Sequence, residues 1–180
     1  MQKKDIDKIL DTMVYIVDSR EQNLHIYDWL TRKGKNVEIK KINYADYSFR
    51  LPKNEELGIL EDLDFRDIIV IERKNSIEEI IGNMTSDNGV RFEKELKNCK
   101  AKMTLVIEDQ YDKACLGTYE SKFNRKSLLG KLAIMPHRYN VPVIYLSKLS
   151  TPVFIYTHFR YFMREQLLNM IESEVKIGNE

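Results

Sequence analysis

Residues 68–74 read Ile68-Ile69-Val70-Ile71-Glu72-Arg73-Lys74. Four consecutive β-branched residues lose side-chain freedom in a helix and pack well on a pleated surface, so the run predicts a buried strand. It leads directly into three charged residues. In extended backbone the side chains alternate, so Glu72 and Lys74 fall on one face and Arg73 on the other. The end of this strand, where a carboxylate and an ammonium stand side by side, is the first place to look for chemistry.

Working outward, residues 13–17 form a second short apolar run that ends at Asp18, and residues 37–41 alternate as a half-buried strand. Residues 44–50 read as a further strand stopped ahead of Pro52, and residues 103–107 and 141–146 supply two more. Helical spacing recurs over residues 21–33, closed by Gly34, and again near 76–81, 90–102 and 127–138, with Ser127 as the expected N-cap of the last. Between Gly82 and Gly89, residues 83–88 look like a polar joint. A final helix opens near Pro152 and carries Ile155, Phe159, Phe162, Met163, Leu167, Met170 and Ile171 on one stripe, a core face. Strands alternating with helices, plus consecutive strands near the start, predict one α/β domain with a mixed central β-sheet flanked by helices.

Composition narrows the class of protein. The 180 residues carry 29 Lys+Arg against 28 Asp+Glu, and 43% hydrophobic residues suffice for a real core. Only 7 Gly and 4 Pro exclude a collagen-like or linker-rich chain. No apolar run approaches the length of a membrane span, and the amino terminus leads into no secretory apolar region. Cys99 and Cys115 lack the spacing of a disulfide framework or a zinc site, and His25, His137 and His158 are scattered without ligand spacing. A reduced, cytoplasmic protein is expected. Near-neutrality conceals an asymmetry. Residues 55–67 hold six acidic residues against Arg66 alone, while residues 121–164 hold none and carry eight Lys or Arg. Among these, Lys122, Arg125, Lys126 and Lys131 cluster around a helix start, a candidate seat for phosphate and a face for a polyanion.

The carboxylates at strand ends are Asp18, Asp46 and Glu72, with Lys74 beside the last. Carboxylates with no Cys or His among them are hard oxygen ligands, suited to Mg²⁺ or Mn²⁺. A cation there lowers the pKa of a bound water and offsets charge on phosphorus, and Lys74 is placed to orient that water or to meet the developing charge. The same residues admit a purely structural reading, in which Asp18 and Asp46 cap turns and Glu72 pairs with Lys74 on a sheet surface.

A resemblance adds to this. Asp18-Ser19-Arg20-Glu21 is similar to the Asp-x-Arg-Glu motif of the XPF-type structure-specific endonuclease domain, and Ala45-Asp46-Tyr47 to its Gly-Asp-aromatic motif. Glu72-Arg73-Lys74, followed by Glu78, resembles its Glu-Arg-Lys-x-x-x-Asp signature. Arg91-Phe92-Glu93-Lys94-Glu95 resembles the Arg-Phe stretch, Leu105 to Glu108 the strand ending in Glu, and Val141-Pro142-Val143 the late Val-Pro strand. The motifs follow the family order over residues 12–168.

The resemblance implies a restriction-endonuclease-like core spanning about 12–172 within a single nuclease domain, 1–180, with no helix-hairpin-helix or helicase domain attached. It implies a divalent metal held by Asp18, Asp46 and Glu72, with Lys74 as the catalytic lysine. Glu21 would support the metal shell, and Arg20, Arg73 and Arg91 the site or the scissile phosphate. Ala45 stands where the family has Gly, and Glu78 where it has Asp. The expected function is Mg²⁺- or Mn²⁺-dependent DNA cleavage at branched or single-strand/duplex junctions, alone, as a homodimer, or with a DNA-gripping partner. Stand-alone copies of this kind resemble those of bacteriophages, which would place the protein in a host cytoplasm. Two other readings stay open: a non-catalytic DNA-binding or dimer-partner subunit of the same fold, and an RNA-cleaving or sequence-specific enzyme. The first usually lacks the acidic residues present here. For the second, the only insertion, residues 53–66, is acidic and repels DNA.

Overall fold

The computed structural model describes residues 2–177. In it the apolar run becomes β5 (Ile69–Lys74), which continues through all three charged residues because β6 (Lys102–Ile107) pairs with it in parallel from Ile69↔Lys102 to Lys74↔Ile107. That pairing holds Glu72 and Lys74 in extended backbone and keeps the face alternation intact. The other strands are β1 (Val14–Val17), β2 (Asn36–Ile39), β3 (Tyr47–Leu51), the two-residue β4 (Leu63–Asp64) and β7 (Val143–Tyr145). They form one mixed sheet in the order β2-β1-β3-β5-β6-β7, with β4 on β3. β3 runs antiparallel to both β1 and β5, and the remaining neighbours along this order are parallel.

Seven helices flank the seven strands among the described residues: α1 (Ile6–Asp11), α2 (His25–Arg32), α3 (Ile77–Met84), α4 (Ser86–Asn98), α5 (Tyr111–Leu116), α6 (Arg125–Tyr139) and α7 (Thr151–Ile177). One core lies under α1, α2 and α7, where Tyr15, Val17, Tyr47, Phe49, Ile71 and Val106 meet Ile26, Leu30, Ile155, Phe159, Met163 and Leu167. The other lies under α3, α4 and α6, where Ile16, Val70, Leu105 and Ile107 meet Ile77, Ile80, Phe92, Leu96, Leu128, Leu132 and Met135. Burial on both faces explains why the central strands read as continuous apolar runs. No helix of the described residues is long and apolar enough to cross a membrane.

The structure departs from the sequence reading at several places. The core reaches back to Ile6, Ile9 and Leu10 of α1, ahead of the boundary expected near residue 12. A six-residue helix shows too little periodicity to be recognised, and its stability comes from packing on α7. The joint expected over residues 83–88 narrows to Thr85, whose extended backbone separates α3 from α4. Gly89 lies against the Met84 carbonyl, where an added Cβ would approach to 2.9 Å, so the turn needs a residue without a side chain. α6 starts two residues before Ser127, and its N-cap is Asn124, whose side chain accepts the Ser127 N–H at 3.0 Å. On α7 the stripe is buried at Ile155, Phe159, Met163 and Leu167, while Met170 is exposed.

Candidate active site

Three neighbouring strand ends are tied together by backbone hydrogen bonds beyond the regular ladders. The Asp18 N–H donates to the Asp46 carbonyl at 2.7 Å, and the Asp46 N–H donates to the Ile71 carbonyl at 3.1 Å. Asp46 then receives the Arg73 N–H on Oδ2 at 2.7 Å, which fixes its carboxylate against β5. Glu72, 15% exposed at its side chain, holds the Lys74 ammonium 2.7 Å from Oε1. Lys74 is 11% exposed, with Nζ 3.7 Å from Glu79 Oε1 and 5.6 Å from the Phe92 ring centre.

Burial pushes the Asp46 carboxyl well above the usual carboxylate range, and the neighbouring Glu72 charge pushes it further. Burial also raises Glu72, against the opposing pull of Lys74. For Lys74, burial works against the ammonium, but Glu72 outweighs it, so its pKa is raised and the group stays charged. Two half-buried carboxylates, crowded by one another and only partly offset by a lysine, form a pair that gains from a cation. The other oxygen of each, Asp46 Oδ1 and Glu72 Oε2, accepts no hydrogen bond from the described residues. Mg²⁺ characteristically takes one or two protein carboxylates and fills the rest of its shell with water and phosphate oxygens. This pair fits that pattern. Among the described residues no three His, Cys, Asp or Glu side chains converge to hold a metal unaided.

Asp18, the third carboxylate of the expected ligand set, is engaged elsewhere. Its Oδ1 accepts the Arg20 N–H at 2.8 Å and Arg20 Nε at 2.7 Å; Oδ2 accepts the Ile42 N–H at 2.5 Å and Arg20 Nη2 at 3.2 Å. Burial alone would raise the Asp18 pKa, but these bonds hold it below the ordinary value. Arg20 has its own pKa raised, first by its hydrogen bonds to Asp18 and further by the charges of Asp18, Asp46 and Glu72. A cleft lined by Arg20, Glu21, Asp46, Lys74, Asn75 and Glu79 opens there.

The opposite face of β5 carries a closed ionic network. Arg73, 5% exposed at its side chain, donates to both oxygens of Glu21 at 3.2 Å and to Glu108 at 2.9 Å. The Tyr47 hydroxyl donates to Glu21 at 3.2 Å, and the Asn23 N–H donates to the same carboxylate at 2.7 Å. His25 Nε2 lies 2.9 Å from the other oxygen of Glu108 and completes the chain. Glu21 therefore borders the cleft with both oxygens committed to Arg73 and its neighbours. Sequence reasoning assigned no role to Glu108 and set His25 aside. For Glu108 the signal was available, since alternation along β6 puts it on the Arg73 side; His25 lies 83 positions away and left no such trace.

The remaining candidates lie outside the lining of this cleft. Glu78 faces away and accepts the Glu120 N–H at 3.3 Å, so Glu79, the next residue, is the acid that reaches Lys74. Arg91 pairs with Glu95 at 3.2 Å and lines a second polar cleft with Lys74, Asn83, Asn88 and Phe92. Lys122, Arg125 and Lys126 are exposed before and at the start of α6, while Lys131 borders a groove between α4 and α6 beside Met84, Phe92 and Met135. Cys99 and Cys115 are free thiols.

Comparison with known proteins bears directly on this arrangement. None of the curated proteins matches the sequence. Among solved structures, XPF from Aeropyrum pernix superposes with a TM-score of 0.60 at 16% identity, covering 82% of this chain and 60% of that one. A complex of XPF from the same organism with DNA gives a TM-score of 0.58 at 15% identity, covering 85% of this chain and 66% of that one. The chain thus spans less than two thirds of either, and at these identities the likeness is one of fold. The model of the ERCC4 domain family matches residues 17–159, from the end of β1 into α7, and takes in all of the strand ends described above. With that match over most of its length and the fold in agreement, the chain belongs to the ERCC4 domain family, the XPF-type nucleases.

Proposed function

We propose that the protein is a divalent-metal-dependent DNA endonuclease that hydrolyses phosphodiester bonds at branched or single-strand/duplex junctions. The observation that carries this is the convergence of Asp46, Glu72 and Lys74, with Asp46 and Lys74 lining one cleft, Glu72 ion-paired to Lys74, and two carboxylate oxygens left without protein donors beside a charged ammonium. Asp46 and Glu72 would hold Mg²⁺ or Mn²⁺, with Asp18 the remaining carboxylate of the same face. Such a cation, when bound, supplies Lewis-acid polarisation of a phosphoryl oxygen and a more acidic water. Lys74 keeps its proton in this environment, so it serves as a fixed positive charge that orients the attacking water and meets negative charge on phosphorus. Glu79, 3.7 Å from Nζ, helps hold the ammonium in place.

DNA would be gripped by basic residues outside the lining of the cleft, Arg91 of the second polar cleft and the group Lys122, Arg125, Lys126 and Lys131. These contact phosphates and read no bases, so binding is structure-directed and weakens as salt rises. The XPF complex with DNA supports DNA as the partner. A second copy of the chain or a separate DNA-gripping protein would supply further affinity. The test is cleavage of end-labelled flap, splayed-arm and plain duplex DNA with Mg²⁺ or Mn²⁺, set beside Glu72→Gln. Metal-dependent cuts near the junction that vanish in the variant support the proposal. Intact DNA with undiminished binding moves the reading to a non-catalytic subunit.

A further inference from the structure

Every lone pair of Asp18 is taken. A carboxylate offers about four acceptor positions, and here two face backbone N–H groups of Arg20 and Ile42 while two face the Arg20 guanidinium. The two kinds of partner differ in permanence. The backbone donors belong to the chain turn after β1 and to the segment before β3, and they orient Asp18 whatever the side chains do. The guanidinium belongs to a side chain that is 61% exposed, anchored otherwise by one hydrogen bond from Nη2 to the Ile42 carbonyl at 2.6 Å. Little packing is lost if it swings away.

We infer that Arg20 is an exchangeable occupant of Asp18, competing with a divalent cation for the outward lone pair on each oxygen, and that a DNA phosphate draws it off. A phosphate offers the same bidentate geometry to a guanidinium as a carboxylate does. Once Arg20 turns to it, Asp18 stays oriented by its two backbone bonds and presents one free position per oxygen to the acidic cleft. Cation and DNA binding are then coupled, and by linkage each strengthens the other by the same factor. The free protein would hold its cation by Asp46 and Glu72 alone. This inference rests on the proposed nuclease reading for the identity of the ligand, and its test is read out by binding.

The experiment is calorimetric titration of the protein with Mn²⁺ in the absence of DNA, for wild type, Arg20→Ala, Arg20→Lys and Arg20→Ala/Asp18→Asn. Arg20→Ala is expected to bind Mn²⁺ about tenfold more tightly, the size of a lost charge-assisted competitor. Arg20→Lys, which keeps the charge but cannot span both oxygens, is expected to show most of that gain, and the double variant none of it. A parallel titration with Ca²⁺, a hard cation with the same oxygen preference, is made with flap DNA whose integrity is checked on a gel. There the wild type should gain affinity on adding DNA and Arg20→Ala should gain much less. Equal Mn²⁺ affinity in wild type and Arg20→Ala overturns the inference while leaving the nuclease reading intact. A gain that survives Asp18→Asn overturns it too, since loss of positive charge alone would then account for the effect. Failure of every protein to bind either cation, with or without DNA, overturns the metal-dependent reading itself.

Discussion

On one face of β5, Glu72 pairs with Lys74 beside Asp46, their charges crowded and two carboxylate oxygens without protein partners, and Asp46 and Lys74 border an open cleft. On the other face, one residue along, Arg73 is enclosed by Glu21, Glu108 and Tyr47, with His25 closing the far end. Both clusters are built from the same three consecutive residues, and both are poorly exposed. They differ in completion. The Arg73 network satisfies its donors and acceptors internally, which is the condition under which buried charge is tolerable. The acidic face does not, and its carboxylates carry raised pKa values as a result. An incomplete cluster held rigid by a complete one at its back is what a cation- and substrate-binding site requires.

The comparison breaks most directly at Arg73. Arg73→Met leaves Glu21 and Glu108 buried without a counter-charge and should cost about 3–5 kcal/mol in urea denaturation. A loss under about 1 kcal/mol would show that the network is dispensable as a support. Lys74→Ala tests the other face. It should lower the cleavage rate by about 10²–10³, because a charge aimed at the reacting group stabilises the transition state. The urea midpoint should fall less than in Arg73→Met, since Glu72, left without its ammonium, is raised further and can take up a proton.

Asp46→Asn sharpens the contrast through pH. A carboxyl whose folded pKa is raised binds its proton more readily in the folded chain, so its contribution to stability is full below the ordinary carboxylate pKa and is lost as pH rises through the folded value. In metal-free protein, Asp46→Asn should therefore stabilise the fold near neutrality, by on the order of 1 kcal/mol from the desolvation avoided. It should also flatten the rise of the wild-type melting temperature towards acid pH, read by differential scanning calorimetry in chelator. His25→Ala should have the smallest effect, about 1 kcal/mol, since Glu108 loses one partner and keeps Arg73. Cleavage should persist at near wild-type rate; a collapse in rate without a loss of stability would move His25 into the working part of the site.

How much of this was legible in the sequence depends on the range of the interactions. The placement of Glu72 and Lys74 together, and of Arg73 apart from them, follows from period-two alternation in a strand whose β-branched residues announce it. The order of strands and helices, the long final helix and the family motifs were equally local signals. Helix α1 and the cap of α6 were not, because a six-residue helix and a choice between Asn124 and Ser127 leave almost no pattern to read.

The sequence by itself determined which residues are acidic, which strands they end, and that the chain has the motifs of the ERCC4 domain. Only the tertiary structure decided that Arg20 occupies Asp18, that Glu79 rather than Glu78 reaches Lys74, and that His25 closes a network through Glu108 across 83 positions of chain. Backbone periodicity assigns a side chain to a face. Which charge a carboxylate then meets depends on rotamers and on elements far away in sequence, and those are set only when the sheet and helices pack together.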